Sequence, residues 1–218
     1  MKIEIYSDVA CPWCYIGKAR FERALAAFTR ADGVNVVYRP YQLDPDAPRD
    51  AVPMFDYLER RFGPGGRRMA DRVIQEAKRE GLEMDYDRGL AANTLDAHRL
   101  LRLAERESGA AVQRAVADAL FSAHFSEGRD VGDAEVLTEI AARAGMDAQR
   151  VRDYLGGGEA RAEVLAEIEQ ARGLGITAVP TFVLDGTYAV QGAQPTATFL
   201  SVLEEVSRAT AEADGGPG

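Results

Sequence analysis

The chain opens with alternating apolar and polar positions and then changes to a helical spacing. Residues 2–6 (KIEIY) alternate and predict a β-strand, whereas Phe21, Leu25 and Phe28 recur at the spacing of a helix. Residues 34–38 (VNVVY) predict a second strand. A strand–helix–strand unit of this kind predicts a right-handed crossover between two parallel strands.

A long helical block follows a boundary loop. Residues 42–50 are rich in proline and aspartate and show no periodicity, which is typical of a loop. From residue 52 to residue 172 the apolar spacing is helical, with Asp133 and Asp147 at positions that suit helix N-caps. Because no strand pattern interrupts this block, we predict an all-helical insertion.

Strand patterns return near the C-terminus. Within residues 180–190, Asp185-Gly186 separates two β-prone runs and predicts a hairpin with a two-residue turn. A last helix should begin near Pro195, and the Gly-rich residues 210–218 should be disordered. The four strands predict a mixed sheet in which the hairpin strands are antiparallel to the first pair.

The order of these elements defines the predicted fold class and domains. It is the order of an α/β thioredoxin fold, a mixed four-stranded sheet, interrupted by a large helical insertion. Residues 1–44 and 173–209 are predicted to form the discontinuous thioredoxin-fold domain, and residues 45–172 the inserted helical domain.

Composition narrows the class of protein. The 218 residues are 46% hydrophobic, which is enough to bury a substantial core. The formal net charge of −9 argues against a nucleic-acid-binding surface, which needs a basic patch. Neither a membrane-spanning run nor a secretory leader is recognisable in the sequence, so we expect a cytoplasmic protein that does not insert in membranes.

The chemistry of the chain is concentrated at the first strand–helix junction. Cys11 and Cys14 are the two cysteines of the protein, and a Cys-x-x-Cys at such a junction indicates a dithiol redox site. The N–H groups at a helix N-terminus stabilise a thiolate on Cys11, and Pro12 suits the first helical turn. Cys14, one turn further, is placed to attack a mixed disulfide on Cys11.

Three simpler explanations of the cysteine pair are weaker. A structural zinc site needs four ligands, and His98 and His124 lie far away in sequence with no second cysteine pair, so no metal is expected. A static disulfide would close only a short loop and would stabilise the fold little. Two inert core thiols would not explain the spacing, and in a reducing cytosol such a pair is more often catalytic.

The residues around the cysteines resemble a known family. The motif D-x-x-C-P-W-C-Y-I-G from Asp8 to Gly17, with residues 175–183 (GITAVPTFV), is similar to the DsbA-like thioredoxin-fold family and to its FrnE-like branch. The resemblance extends to Ala209. It implies a thiol–disulfide oxidoreductase that acts on protein or small-molecule thiols and disulfides, without a bound cofactor, with glutathione as a candidate redox partner. Whether it would be a monomer or a homodimer stays open.

The resemblance also assigns a second part of the site. Without the family pattern, Pro180 is explained as the first residue of a strand, where proline is tolerated. The family pattern implies instead that Pro180 is cis and faces the cysteines, and that the Val179 backbone binds an extended substrate. Trp13, between the cysteines, should form an exposed apolar lip for substrate.

Asp8 and His98 each have two interpretations, and His124 has one. Asp8 either accepts the proton of a thiol or caps a loop, and loop capping is slightly favoured. His98, in the segment 93–98, is either a polar filler of a helix face or a residue that lines the substrate pocket. His124, between Phe121 and Phe125, should be structural.

Two other functions compete with disulfide exchange. Glutathione-dependent transferases of the kappa class and hydroxychromene-carboxylate isomerases resemble the chain overall, but they typically carry serine where Cys11 stands and lack the second cysteine. A non-catalytic binding module of a biosynthetic pathway would leave the dithiol unexplained.

Overall fold

The four-stranded sheet forms one half of the fold. In the computed structural model, which describes residues 1–214, the strand order is β2-β1-β5-β6. The strands are β1 (Lys2–Ser7), β2 (Asn35–Pro40), β5 (Thr181–Leu184) and β6 (Tyr188–Gln191). Strand β1 pairs in parallel with β2 and antiparallel with β5, which confirms the predicted mixed sheet.

The direction of β6 differs from the prediction. Strand β6 is antiparallel to β5 and therefore runs in the direction of β1. The prediction that both hairpin strands oppose the first pair was wrong, because a hairpin joins the sheet through one strand and its second strand must turn back. At the turn, Asp185 and Gly186 have φ values of 47° and 68°, and the Thr187 N–H donates to the Leu184 carbonyl at 3.1 Å.

Helices cover the sheet and build the insertion. Helix α1 (Pro12–Ala27) packs against α9 (Thr196–Asp214). The insertion contains α2 (Met54–Phe62), α3 (Gly66–Arg79), α4 (Leu95–Ser108), α5 (Ala110–Phe125), α6 (Ala134–Arg143), α7 (Ala148–Gly156) and α8 (Arg161–Gly173). Asp133 accepts the N–H groups of Glu135 and Val136 at 2.9 Å, and Asp147 accepts that of Arg150 at 2.7 Å, so both predicted N-caps are confirmed.

The insertion also contains a short antiparallel strand pair, so it is not all-helical as predicted. Strand β3 (Val52–Pro53) pairs with β4 (Leu90–Ala91). Two-residue strands are too short to produce a visible alternation, and their pairing depends on tertiary contacts. Met54 follows β3 and Ala91 lies in β4, and both border the same cavity as Cys11.

The C-terminal helix is longer than expected. Helix α9 continues to Asp214, so residues 210–214 of the tail expected to be disordered are helical. Alanine and glutamate favour a helix here, and the first helix-breaking residue is Gly215. The remaining residues of that prediction, 215–218, lie outside the described residues.

One hydrophobic cluster joins the sheet to the insertion. It contains fully buried side chains of both parts, including Ile3, Phe182, Leu100 and Leu120. The division into domains 1–44 with 173–209 and 45–172 therefore stays a prediction. Within residues 1–214, no helix combines the length and the apolar character needed to cross a bilayer.

Gln113 attaches the insertion to the edge of the sheet. Its buried side chain accepts the N–H of Tyr38 in β2 at 2.8 Å and donates to the Tyr38 carbonyl at 3.0 Å. The side-chain amide of Gln113 thus takes the place of a neighbouring strand. It supplies hydrogen-bond partners to the N–H and the carbonyl of Tyr38, which lie on the open edge of β2.

Candidate active site

The two cysteines begin helix α1. Cys11 is the N-cap residue, with extended backbone angles of φ −88° and ψ 111°, and Pro12 is the first helical residue. The Cys11 N–H donates to the Asp8 carbonyl at 3.0 Å, and the Cys14 N–H donates to the Cys11 carbonyl at 3.0 Å. Both thiols are free. The helix N-terminus therefore points at Cys11, as the sequence predicted.

The two thiols lie in different surroundings. Both side chains are buried, but Cys11 borders a cavity that opens to solvent, whereas Cys14 does not line that cavity and lies next to Ser7. Burial raises the pKa of Cys14 well above its ordinary value, and the neighbouring Cys11 raises it further. The dithiol is therefore asymmetric, with one sulfur at the cavity and a second sulfur whose raised pKa keeps it protonated.

Pro180 lies against the cysteines. The Val179–Pro180 peptide bond is cis, and the Cys11 thiol donates to the Val179 carbonyl at 3.7 Å. The predicted conformation of Pro180 and its position beside Cys11 are therefore present in the structure.

Gly17 makes this approach possible. A Cβ atom at Gly17 would lie 2.9 Å from Pro180 Cγ, which is closer than such contacts allow, and 3.3 Å from Ala193 Cα, which is tight. Helix α1 can lie against the Pro180 segment only because residue 17 lacks a side chain. Sequence reasoning missed this role, although a glycine inside a helix is itself a sign of close packing.

Asp8 is buried beneath the thiols and bound by the backbone. One carboxylate oxygen accepts the Leu43 N–H at 2.8 Å, the other accepts the Ala10 N–H at 3.3 Å, and His98 Nε2 lies 3.4 Å from the carboxylate. Burial would raise the pKa of Asp8, but His98, the Leu43 N–H and Thr94 outweigh burial and hold the pKa below its ordinary value. Asp8 thus caps loops, as favoured from the sequence, and carries a charge close to the dithiol.

A cavity of about 310 Å³ extends from Cys11 into the insertion. Its walls are mainly apolar and come from α2, α3 and the β3–β4 region, with Met54, Tyr57, Leu58, Ala70, Val73, Tyr86 and Ala91. Four large side chains border it and are 43–49% exposed: Trp13, Leu43, Phe62 and Met69. Trp13 is therefore the exposed lip that the sequence predicted, and it belongs to a larger apolar rim.

Family comparison agrees with this geometry. A family model described as the DSBA-like thioredoxin domain matches residues 2–204. The chain belongs to this DsbA-like family. The predicted family and fold class are thereby confirmed, and the structural neighbours of this DsbA-like protein are consistent with the FrnE-like branch.

Three solved structures resemble this DsbA-like protein over nearly its whole length. A probable DsbA oxidoreductase from Streptomyces coelicolor is 41% identical, with a TM-score of 0.84, over 94% of this chain and 89% of that one. The cytosolic disulfide reductase DsbM from Pseudomonas aeruginosa, with GSH, is 20% identical, with a TM-score of 0.67, over 95% and 100%. A 2-hydroxychromene-2-carboxylate isomerase is 15% identical, with a TM-score of 0.68, over 97% and 98%. The last two likenesses concern the fold alone.

Of the two interpretations of His98, the structure agrees with the polar residue on a helix face. His98 borders a separate internal space of about 10 Å³ near Ser7, and Thr94 lines the cavity instead. The reading of His98 as a pocket-lining residue was therefore wrong, because its side chain turns toward Asp8.

His124 borders the cavity at Cys11, which the sequence did not indicate, and its structural role stays a prediction. It is 1% exposed, and neither ring nitrogen has a hydrogen-bond partner within the described residues. Burial lowers the pKa of His124 to about 4, against a smaller opposing effect of Asp8. Its position between two phenylalanines gave no sign of this, since a helical pattern does not distinguish a core from a cavity wall.

A metal centre has no obvious ligands in the part of the chain that the structure describes. Among residues 1–214, no group of three or more His, Cys, Asp or Glu side chains is arranged to hold an ion. Asp8, Cys11 and Cys14 form the polar centre of the site, and their chemistry is that of thiols beside a carboxylate.

Proposed function

We propose that this DsbA-like protein is a thiol–disulfide oxidoreductase that uses Cys11 as the nucleophile and Cys14 as the resolving thiol. The asymmetry of the two thiols carries the proposal: Cys11 lies at a helix N-terminus and borders the cavity, while Cys14 does not line the cavity and has a raised pKa. Membership of the DsbA-like family supports an oxidoreductase or a related isomerase, and the dithiol favours the oxidoreductase.

The reaction proceeds in two exchange steps. The Cys11 thiolate attacks one sulfur of a substrate disulfide, forms a mixed disulfide and releases the first substrate thiolate. Cys14 then loses its proton and attacks the Cys11 sulfur, which breaks the mixed disulfide and releases the second thiolate. The substrate gains two electrons and the enzyme becomes the Cys11–Cys14 disulfide. The reverse sequence oxidises a substrate dithiol.

The proposal also includes the substrate-binding residues, the compartment and the redox partner expected from the sequence. Trp13, Val179 and Pro180 bind the substrate beside Cys11, which fits the exposure of Trp13 and the contact of the Val179 carbonyl with the Cys11 thiol. The protein acts in the cytoplasm on protein or small-molecule thiols and disulfides. It needs no bound cofactor, and glutathione serves as a redox partner.

The related isomerase activity is the second candidate, and the likeness to the hydroxychromene-carboxylate isomerase fold favours it. The presence of both cysteines disfavours it, since a glutathione-dependent transferase or isomerase has no step for Cys14. Such an enzyme should retain glutathione-dependent turnover after Cys14→Ser.

Trapping the mixed disulfide tests the assignment. Cys14→Ser should form a stable glutathione adduct on Cys11 when mixed with oxidised glutathione, because nothing resolves it. Cys11→Ser should form almost none, since Cys14 does not border the cavity and its raised pKa keeps it protonated. Intact-protein mass spectrometry with peptide mapping measures both. Equally fast adduct formation on Cys14 in the Cys11→Ser protein would reverse the roles.

A further inference from the structure

The connection between helices α2 and α3 concentrates positive charge. Residues 60–72, here called the arginine hairpin, contain five arginines and one aspartate, so their net charge is +4 in a chain whose formal net charge is −9. All five arginines are exposed: Arg60, Arg61, Arg67, Arg68 and Arg72. A basic patch on an otherwise acidic protein creates a local potential that attracts negative charge.

The protein neutralises only part of this charge. Arg61 forms an ion pair with Asp44, and the guanidinium carbon of Arg67 lies 3.9 Å from the centre of the Phe55 ring. Within the part of the chain that the structure describes, the other three form no ion pair: Arg60, Arg68 and Arg72. Their guanidinium groups are therefore available to the carboxylates of a partner, which arginine binds with paired hydrogen bonds.

The arginine hairpin also contributes apolar side chains to the rim of the cavity at Cys11. Phe62, at the end of α2, and Met69, near the start of α3, border that cavity and are 46% and 49% exposed. Aromatic residues, methionine and arginine are the residues enriched in protein interfaces, whereas lysine and acidic residues are depleted. The hairpin, which has no lysine and one acid, thus has the composition of a surface that contacts another protein.

Arg68 and Arg72 lie beside Met69 on α3. A Cβ atom at Gly65 would lie 4.0 Å from Arg68 Nη2, which places this guanidinium beside the turn. Arg72 is three residues after Met69, and side chains at this spacing are neighbours on a helix surface. Arg61, on α2, itself borders the cavity. Positive charge therefore accompanies the apolar rim on the side of the insertion.

We infer that the arginine hairpin is a docking surface for a protein partner that carries acidic residues beside its disulfide. The inference rests on the proposed function, because docking serves the reaction only if Cys11 attacks that disulfide by the two steps already given. A short acidic segment meets the hairpin alone, since exposed charges more than about 10 Å apart are largely screened at 0.1 M salt. An extended anionic surface such as a lipid bilayer fits less well, because the rest of the chain carries −13.

Three peptides that differ in charge alone test the inference. Each contains one cysteine in a mixed disulfide with 5-thio-2-nitrobenzoate, and the residues that flank it are all glutamate, all glutamine or all lysine. The Cys11 thiolate attacks the peptide sulfur, the bond to thionitrobenzoate breaks, and thionitrobenzoate leaves as a coloured thiolate that stopped-flow absorbance measures. The full chain carries Cys14→Ser, so that one exchange step is observed. Dividing each rate by that of 2-mercaptoethanol with the same peptide removes the intrinsic reactivity of the peptide.

Reversing two charges of the hairpin gives the decisive variant, Arg68→Glu with Arg72→Glu. Its matched control is Arg143→Glu with Arg161→Glu, which changes the net charge equally at two exposed arginines of α6 and α8. At low salt the parent should react with the glutamate peptide about tenfold faster than with the glutamine peptide, and slowest with the lysine peptide. High salt should reduce this preference. The hairpin variant should lose the preference for glutamate, and the control should keep it.

Several outcomes would overturn the inference. Equal loss of the preference in the hairpin variant and in the control would mean that net charge acts and that the hairpin has no special part. Self-association of the parent in analytical ultracentrifugation, abolished in the hairpin variant and without a peptide preference, would assign the hairpin to a second copy of the chain. Sedimentation with vesicles of phosphatidylcholine and phosphatidylserine, with the same two features, would assign it to a membrane.

The same measurement separates this inference from the proposed function. Equal normalised rates of the parent with the three peptides would refute the docking surface alone, because Cys11 would still attack disulfides. No release of thionitrobenzoate from any peptide would refute the proposed function as well.

Discussion

At the scale of single residues, the site depends on two thiols one helical turn apart in unequal surroundings. Both are buried, but Cys11 lies at the helix N-terminus and borders the cavity, whereas burial and the neighbouring Cys11 raise the pKa of Cys14. The same sequence motif thus gives one sulfur that borders the cavity and one that does not.

Alkylation should distinguish the two thiols. In the reduced native protein at pH 7, iodoacetamide should modify Cys11 at least about tenfold faster than Cys14, since the thiolate is the reactive form and Cys14 stays protonated. Timed quenching and peptide mass spectrometry give both rates. In denaturant the two rates should converge, which serves as the control, and equal rates in the native protein would contradict the asymmetry.

His124 should make the fold sensitive to mild acid. Its folded pKa of about 4 lies below the value of about 6.5 expected in the unfolded chain, so the unfolded state binds more protons between these limits. Its contribution is fully present above pH 6.5 and is lost as the pH falls toward 4. From pH 7 to pH 4.5 the parent should lose about 2 kcal/mol more unfolding free energy than His124→Gln.

Urea unfolding at the two pH values measures that difference. The pKa of Asp8 is lowered in the folded protein, so its own contribution is lost mainly at lower pH than this window. A parallel decline in the parent and in His124→Gln would show that His124 is not buried in its neutral form.

At the scale of elements, close packing positions the dithiol. Gly17→Ala would place a Cβ atom 2.9 Å from Pro180 Cγ, so helix α1 or the Pro180 segment must move. We expect a loss of about 1–3 kcal/mol in stability, typical of overpacking, together with slower reaction of Cys11 with oxidised glutathione.

Gly173→Ala is the matched control for Gly17→Ala. Gly173 ends helix α8, and a Cβ atom there would meet nothing within 4 Å. That substitution should be neutral or slightly stabilising, because alanine favours a helix. If denaturant unfolding and the rate of mixed-disulfide formation changed alike in both variants, the contact with Pro180 would have no importance for the site.

Arg99 joins two elements of the insertion. It is buried on α4, and its guanidinium donates to the carbonyls of Tyr154 at 2.6 Å, Leu155 at 3.0 Å and Glu159 at 3.0 Å. Arg99→Ala would leave these three carbonyls, in and just after the last turn of α7, without their partner. It should lower the free energy of unfolding by about 3 kcal/mol or more. Urea unfolding beside Arg143→Ala, an exposed arginine of α6, gives the comparison. Equal losses in the two variants would contradict this role.

The elements that sequence reasoning found are those with long local patterns. The predicted helices and the strands of the main sheet are present in the structure, because the apolar periodicity of each extends over several helical turns or several alternating residues. The β3–β4 pair was missed because two residues carry no period, and the direction of β6 was missed because strand pairing is a tertiary property. Gly17 was visible as a residue but not as a contact, since its partner Pro180 is remote in sequence.

At the scale of the whole molecule, the insertion packs beside the dithiol and forms most of the walls of the cavity at Cys11. Cys11, Cys14, Trp13 and Pro180 were predicted because local motifs contain them. The cavity and the place of His124 were not, because they arise only when the insertion packs on the sheet. Gln113, which binds the edge of β2, helps to fix that arrangement.

The central claim is that Cys11 and Cys14 act as one two-electron couple. Equilibrating the purified protein in glutathione buffers of graded potential, followed by acid quenching, alkylation and mass spectrometry, measures this directly. We expect a single transition in which both thiols disappear together and the Cys11–Cys14 disulfide is the oxidised product. Two thiols that persist across the whole range, or a stable glutathione adduct on one cysteine as the final oxidised state, would contradict it.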